Sequence, residues 1–162
     1  MPMTSHMEVK GKNQGKIDGS CEMEGREKTI LVYGMNHDIS IPKDPQSGLP
    51  SGKRIHGALT VEKEIDRSSP MLNQALCTGE QLSEVTIKKY FIGPTGAEEH
   101  YYTITLEDAI IVGIEPYMPL AFLSENEPYR HMEKVSFTYS KIKWKHEIDG
   151  IESEDSWKVP AT

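Results

Sequence analysis

Six histidines and 25 carboxylates are the raw material for acid-base or metal chemistry in this chain, and spacing decides whether any of it is assembled. His37, His56, His100 and His131 fall on different expected elements, and no two stand at i, i+2 on one strand, so no zinc-type ligand set is built. Glu98-Glu99-His100 groups acids with a base, but it adjoins the turn signal Gly93-Pro94-Thr95-Gly96, and a solvated turn accounts for it. The nucleophile elbow Gly-x-Ser-x-Gly, the phosphate loop Gly-x-x-x-x-Gly-Lys-Ser/Thr and the metalloprotease pattern His-Glu-x-x-His are all missing. Cys21 and Cys77 form a single pair with no second pair to complete a metal site, so free thiols in a reducing compartment are expected. Cys77 falls late in an expected helix, away from the end that activates a thiol. No catalytic residue, no metal site and no cofactor is expected. Lys88-Lys89 and Lys141, Lys143 and Lys145 read as solvated strand faces.

The distinctive stretch is built for contact rather than for chemistry. From His37 the chain leaves a strand for a long segment made of Pro42, Lys43, Asp44, Pro45, Gln46, Ser47, Gly48, Leu49, Pro50, Ser51, Gly52, Lys53 and Arg54. Three prolines and two glycines between Pro42 and Gly52 forbid a helix or a central strand there. Leu49 is its only large apolar side chain. Irregular loops of this length are functional or disordered, and the prolines restrict the unfolded chain, which favours a stiff projecting arm. A mobile surface loop is the competing reading.

The rest of the chain must position that arm, and its apolar spacing is mostly that of strands. Met7 and Val9, the turn Gly11-Lys12-Asn13-Gln14-Gly15 and Ile17 predict a short hairpin. Thr29 to Ile41 reads as a strand with Leu31, Tyr33, Met35, Ile39 and Ile41 on its buried face. Leu59, Val61 and Ile65 predict a half-buried strand after the arm. Ser69 as N-cap, Pro70 at the first position and Gly79 at the end bracket one helix from Pro70 to Thr78, carrying Leu72, Ala75 and Leu76. Val85, Ile87 and Tyr90 lead into the Gly93 turn, and Tyr102, Ile104 and Leu106 lead out of it. Ile110, Val112 and Ile114 are expected to continue in that phase. A second loop, Pro119 to His131, precedes Val135, Phe137 and Tyr139, after which Ile142 and Trp144 slip by one. That slip predicts a bulge near Ser140 and Lys141, of the kind that bends a strand round a barrel corner. The acidic tail 147–162 is expected to be mobile, with Trp157 as an anchor.

At 162 residues the chain fits one domain, 1–162. The fold class expected is mainly β: an antiparallel β-barrel of two packed sheets with one short α-helix and a long extended loop. A net charge of −7 disfavours nucleic acid. Apolar runs fall short of the roughly 18 residues needed to insert in a membrane, and Met1 to Asp18 lacks the apolar core of a signal peptide. Exposed sheet edges invite pairing with further copies, which a closed ring would satisfy. A monomeric ligand-binding β-barrel is the alternative, requiring an apolar internal pocket. An enzyme would require a convergent acid and base.

His37-x-Ile39-x-Ile41-Pro42-x-Asp44-Pro45-Gln46-Ser47-Gly48-x-Pro50-Ser51-Gly52-x-Arg54 closely resembles the signature loop of the haemolysin-coregulated proteins (Hcp), the inner-tube proteins of bacterial type VI secretion systems. The Gly11 to Gly15 turn, Gly79-Glu80-Gln81-Leu82, Val135 to Trp144 and Glu154-Asp155-Ser156-Trp157 resemble further pieces in order. Leu120 to Tyr129 departs from the pattern. The resemblance implies a homohexamer whose rings stack into a hollow tube, with Pro42 to Arg54 making the inter-ring contact. Its implied partners are sheath and spike proteins outside and small effector proteins in the lumen. It also implies a cytoplasmic assembly that is secreted without a signal peptide.

Overall fold

The computed structural model describes residues 3–157, and within them the alternating sequence forms eleven strands and one α-helix. In chain order these are β1 (Ser5–Gly11), β2 (Gly15–Ile17), β3 (Ile30–Asn36), β4 (Ile39–Ser40), β5 (Ile55–His56), β6 (Leu59–Glu64), α1 (Ser69–Thr78), β7 (Leu82–Ile92), β8 (Glu98–Tyr117), β9 (Met132–Thr138), β10 (Lys141–His146) and β11 (Ile151–Ser156). Strands β8, β7, β1, β3, β6 and β9 lie side by side, and β9 pairs back onto β8. The expected antiparallel β-barrel is thus present, built as one sheet closed through six strands, which leaves few free edges. Strands β10 and β11 extend the sheet from β8, β2 is attached to β1, and β4 and β5 form a separate two-stranded ribbon.

Closure depends on β8 changing partners. Tyr102 to Glu107 pair with β10, whereas Ile110 to Tyr117 pair with β9. Between them Asp108 adopts φ 50°, and opposite it the Ser140 amide donates to the Glu107 carbonyl at 3.1 Å. The expected break near Ser140 and Lys141 thus lies at the corner where β9 hands over to β10. The same corner overturns the phase expected beyond it. Ala109 and Ile111 are buried while Ile110 and Val112 face solvent, because the kink at Asp108 shifts the alternation by one. A like correction applies to the second strand. Its buried residues are Ile30 and Val32, not Leu31 and Tyr33, and a register shift between Val32 and Gly34 then lets Met35 pack inward. That strand also stops at Asn36, with Ile39 and Ile41 exposed.

Side chains fill the barrel. Met7, Val9, Ile30, Leu59, Val61, Val85, Ile87, Leu106, Phe137 and Ile142 are fully buried, and α1 adds Leu72 and Ala75. Ser69 is the first helical residue rather than the cap, which is Ser68, and Gly79 ends the helix in the left-handed conformation. The Ser69 hydroxyl instead donates to Glu133 Oε1 at 2.7 Å. That carboxylate also accepts from Lys63 Nζ at 2.5 Å, and Asp66 Oδ1 lies 3.2 Å from the same ammonium. Lys63 is wholly buried because it occupies the inward phase after Leu59 and Val61. Two carboxylates, a hydroxyl and the Glu64 carbonyl satisfy it there.

The tail corrects a further expectation. Ile151 to Ser156 pair with His146 to Lys141, so the acidic segment is an ordered edge strand as far as the description extends. Residues 158–162 lie outside it. The half-buried lysines of β10 meet carboxylates across the strands, Lys143 with Glu107 at 2.9 Å and Lys141 with Glu154 at 3.2 Å.

Candidate functional site: the arm and its root

The segment read as an irregular loop is an ordered hairpin. At its root Ile39 pairs with His56 and Ser40 with Ile55, and the Gly57 amide donates to the Asp38 carbonyl at 2.8 Å. Farther out Lys43 bridges Pro50, and the Ser51 amide donates to the Pro42 carbonyl at 2.6 Å. At the tip the Asp44 amide donates to Leu49 and the Gly48 amide to Asp44. The Asp44 carboxylate accepts from the Gln46 amide and the Ser47 hydroxyl, each at 3.0 Å. Those two bonds, the Gln46 amide foremost, hold its carboxyl below the usual range. Gly48 and Gly52 take φ of 73° and 86°, which lets the ribbon turn without strain. Prolines deny the tip a longer ladder, and side-chain bonds close it instead.

Every residue from Asp38 to Lys53 is exposed. Ile39, Ile41, Leu49 and Ile55 present large apolar side chains to solvent along the arm, Leu49 with 66% of its surface free. Of the thirteen residues singled out from sequence, Pro42 to Lys53 lie together on this arm. Arg54 sits at the root, half-buried, its Nε donating to Asp155 Oδ2 at 2.6 Å and its Nη2 to the Ser156 carbonyl at 2.8 Å.

The root gathers side chains that the sequence did not bring together. His56 is buried, with Nε2 2.7 Å from Asp155 Oδ2 and Nδ1 2.6 Å from the Tyr139 hydroxyl. His37 Nε2 reaches the same hydroxyl at 2.9 Å, and the Trp157 ring lies over His56 at 4.8 Å. Arg54 foremost, and His56 with it, hold the Asp155 carboxyl below its ordinary range. Burial pushes the Tyr139 phenol well up, and Asp155 adds to that. Burial first, then the neighbouring His56, keep His37 below the ordinary histidine range. The one available signal was Tyr139, a hydroxyl on the buried phase of its strand that needs a partner.

The remaining histidines stay apart from this root. His100 Nε2 lies 2.7 Å from Thr103 Oγ1, which donates to Glu147, while Glu98 pairs with Arg26 at 2.7 Å. Cys21 is buried beside His6, and Cys77 is exposed on α1. Among the described residues no group of three His, Cys, Asp or Glu side chains is placed to hold a metal ion. An open cleft of about 570 Å³ lies between β3 and the end of β7, lined by Val32, Met35, Tyr90 and Phe91 among others.

A family model described as "Type VI secretion system effector, Hcp" matches residues 6–146. The chain belongs to the Hcp family. It is 41% identical over 169 residues to the "Major exported protein" of Pseudomonas aeruginosa, covering 99% of this chain and 98% of the relative. Among solved structures it resembles an Hcp protein at TM-score 0.90, with 33% identity and coverage of 95% and 97% of the two chains. The secreted protein Hcp3 from Pseudomonas aeruginosa aligns at TM-score 0.78 and 37% identity, covering 94% of this chain and 99% of that one. Membership makes the chain a structural protein of type VI secretion, a subunit of its tube.

Proposed function

We propose that this chain, folded as the single domain 1–162, forms hexameric rings that stack into a hollow tube through the arm Pro42 to Lys53, with Arg54 setting the arm at its root. The observation that carries this reading is the arm itself. It is preorganised by its own hydrogen bonds, and it exposes Ile41 and Leu49 where an isolated protein gains nothing from showing them. Lys43 and Lys53 add charge for pairing with a neighbouring ring, each pair contributing about 0 to 1 kcal/mol and weakening as salt rises. The tube meets sheath and spike proteins, carries small effectors in its lumen and is itself exported, in keeping with the name of the Pseudomonas relative. The alternative of a monomeric ligand-binding barrel loses ground, because the barrel interior is packed with side chains. Removing Asp44 to Ser51 and joining Lys43 to Gly52 tests the assignment. Light scattering and negative-stain microscopy are expected to show intact rings that no longer stack. Loss of the rings themselves overturns it.

A further inference from the structure

The root of the arm is a series of hydrogen bonds whose direction can be worked out atom by atom. Asp155 Oδ2 only accepts, so His56 Nε2 carries a hydrogen toward it, as Arg54 Nε does. In neutral His56 the other ring nitrogen, Nδ1, must then accept, and its partner at 2.6 Å is the Tyr139 hydroxyl. That hydroxyl has spent its single hydrogen, so His37 Nε2, at 2.9 Å, must donate to the phenol oxygen. The series runs in one sense, from His37 through Tyr139 and His56 to Asp155.

One proton can be added without breaking it. If His56 takes the proton, beside Asp155, Nδ1 donates to the Tyr139 oxygen, the phenol hydrogen turns to His37 Nε2, and His37 shifts to its other tautomer. The series then runs the opposite way from His56 to His37. A second proton, on His37, leaves the phenol oxygen facing two donors. Its own hydrogen has no partner in the series, and two imidazolium rings stand either side of one hydroxyl. We propose that this series is a lock fixing the root of the arm to the barrel and to β11, that Tyr139 and Asp155 are positioning residues for the arm, and that the lock opens when both imidazoles are protonated.

Every neighbouring group bears on the second step in a definite sense. Asp38, next in sequence, favours a proton on His37, whereas burial and His56 oppose it. Asp155 Oδ2 faces both His56 Nε2 and Arg54 Nε, which share that one carboxylate oxygen. Tyr139 stays a phenol across the range, since its loss of a proton is pushed upward. Opening therefore belongs to mildly acid conditions, below the ordinary histidine range. The four residues come from the approach to the arm, the arm's return strand, the β9 to β10 corner and β11. His37 meets the barrel at Tyr139, through this hydrogen bond and an edge contact between the two rings at 5.8 Å.

The lock stands on this geometry alone, and only its effect on stacking rests on the arm's proposed role. Amide hydrogen exchange on unstacked rings, expressed as protection factors to remove the intrinsic pH effect, tests it between pH 7.5 and 5. Amides from Ile39, Ser40 and Ile55 to Gly57 are expected to lose protection by about tenfold or more on acidification, while those of β1 and β7 hold. His37→Gln keeps a donor amide toward Tyr139 and removes the second titration, so its arm root is expected to stay protected at pH 5. Tyr139→Phe is expected to be poorly protected at both pH values. Equal acid loss in wild type and His37→Gln overturns the lock, as does a wild-type root unmoved at pH 5 or a Tyr139→Phe root protected like wild type at pH 7.5. If the root responds as expected while stacking ignores pH, the lock stands and the inter-ring role of the arm fails.

Discussion

Replacing His6 by glutamine isolates a proton-linked contribution to the stability of this barrel. His6 is 1% exposed, and the Thr29 hydroxyl beside it donates to the Arg26 carbonyl at 2.8 Å. Thr29 Oγ1 can then only accept from His6, so Nδ1, 2.9 Å away, carries the hydrogen. Nε2 is left to accept from Arg26 Nη1 at 3.3 Å, and a proton there would meet another donor and a fixed positive charge. Burial first, and Arg26 second, push the imidazole down from 6.5 to about 4, with Glu98 opposing. At 1.36 kcal/mol per pH unit that difference amounts to about 3 kcal/mol. Between those values the unfolded chain binds a proton that the folded one refuses. Stability from His6 is therefore whole above pH 6.5, falls as pH drops, and is gone below about 4. Urea unfolding of wild type and His6→Gln at matched protomer concentration measures it, since assembly also shifts the midpoint. The stability gap between the two is expected to shrink by about 3 kcal/mol from pH 7.5 to 4. A gap that stays constant across that range refutes the reasoning.

Glu133→Ala leaves the buried Lys63 ammonium with Asp66 as its one carboxylate partner among the described residues, and urea unfolding is expected to show a loss of about 3 to 5 kcal/mol. The double replacement Lys63→Met with Glu133→Leu should recover most of that loss, because it removes both charges together. Gly19→Ala would set a Cβ 2.3 Å from the Thr29 carbonyl oxygen, which backbone cannot evade cheaply, and a cost of about 1 to 3 kcal/mol is expected in thermal unfolding. Leu49→Lys is expected to leave ring mass unchanged by light scattering and to shorten or abolish stacks seen by microscopy, because it places a charge where the arm shows its largest apolar surface.

The β class, the hairpin at Gly11 to Gly15, the helix ending at Gly79 and the corner near Ser140 were all legible because each rests on local chemistry: alternation, turn residues or a cap. Strand phase failed where a backbone irregularity intervened. No residue type announces that Asp108 will take a positive φ, so the slip from Leu106 to Ala109 was invisible. Lys63 was passed over since a lysine on an apolar phase declares itself only when Glu133 is found opposite, 70 residues away. The arm was legible in its prolines and glycines, but its ladder was not, because that depends on Asp44 closing the tip. Its root was hidden for a different reason: Tyr139 and Asp155 lie about a hundred residues from His37 and His56 respectively, and only barrel closure brings them together.

Strand β8 gives the subunit a mechanical character. Its 20 residues correspond to a contour of about 66 Å at 3.3 Å per residue. Along it the chain is bonded in turn to β7, β10 and β9. Force applied along such a strand loads many hydrogen bonds in shear at once, whereas force applied across an end peels them one at a time. A thrust directed along β8 would therefore be borne by half the barrel wall together, and the kink at Asp108 is the point where that load passes from one set of neighbours to the other.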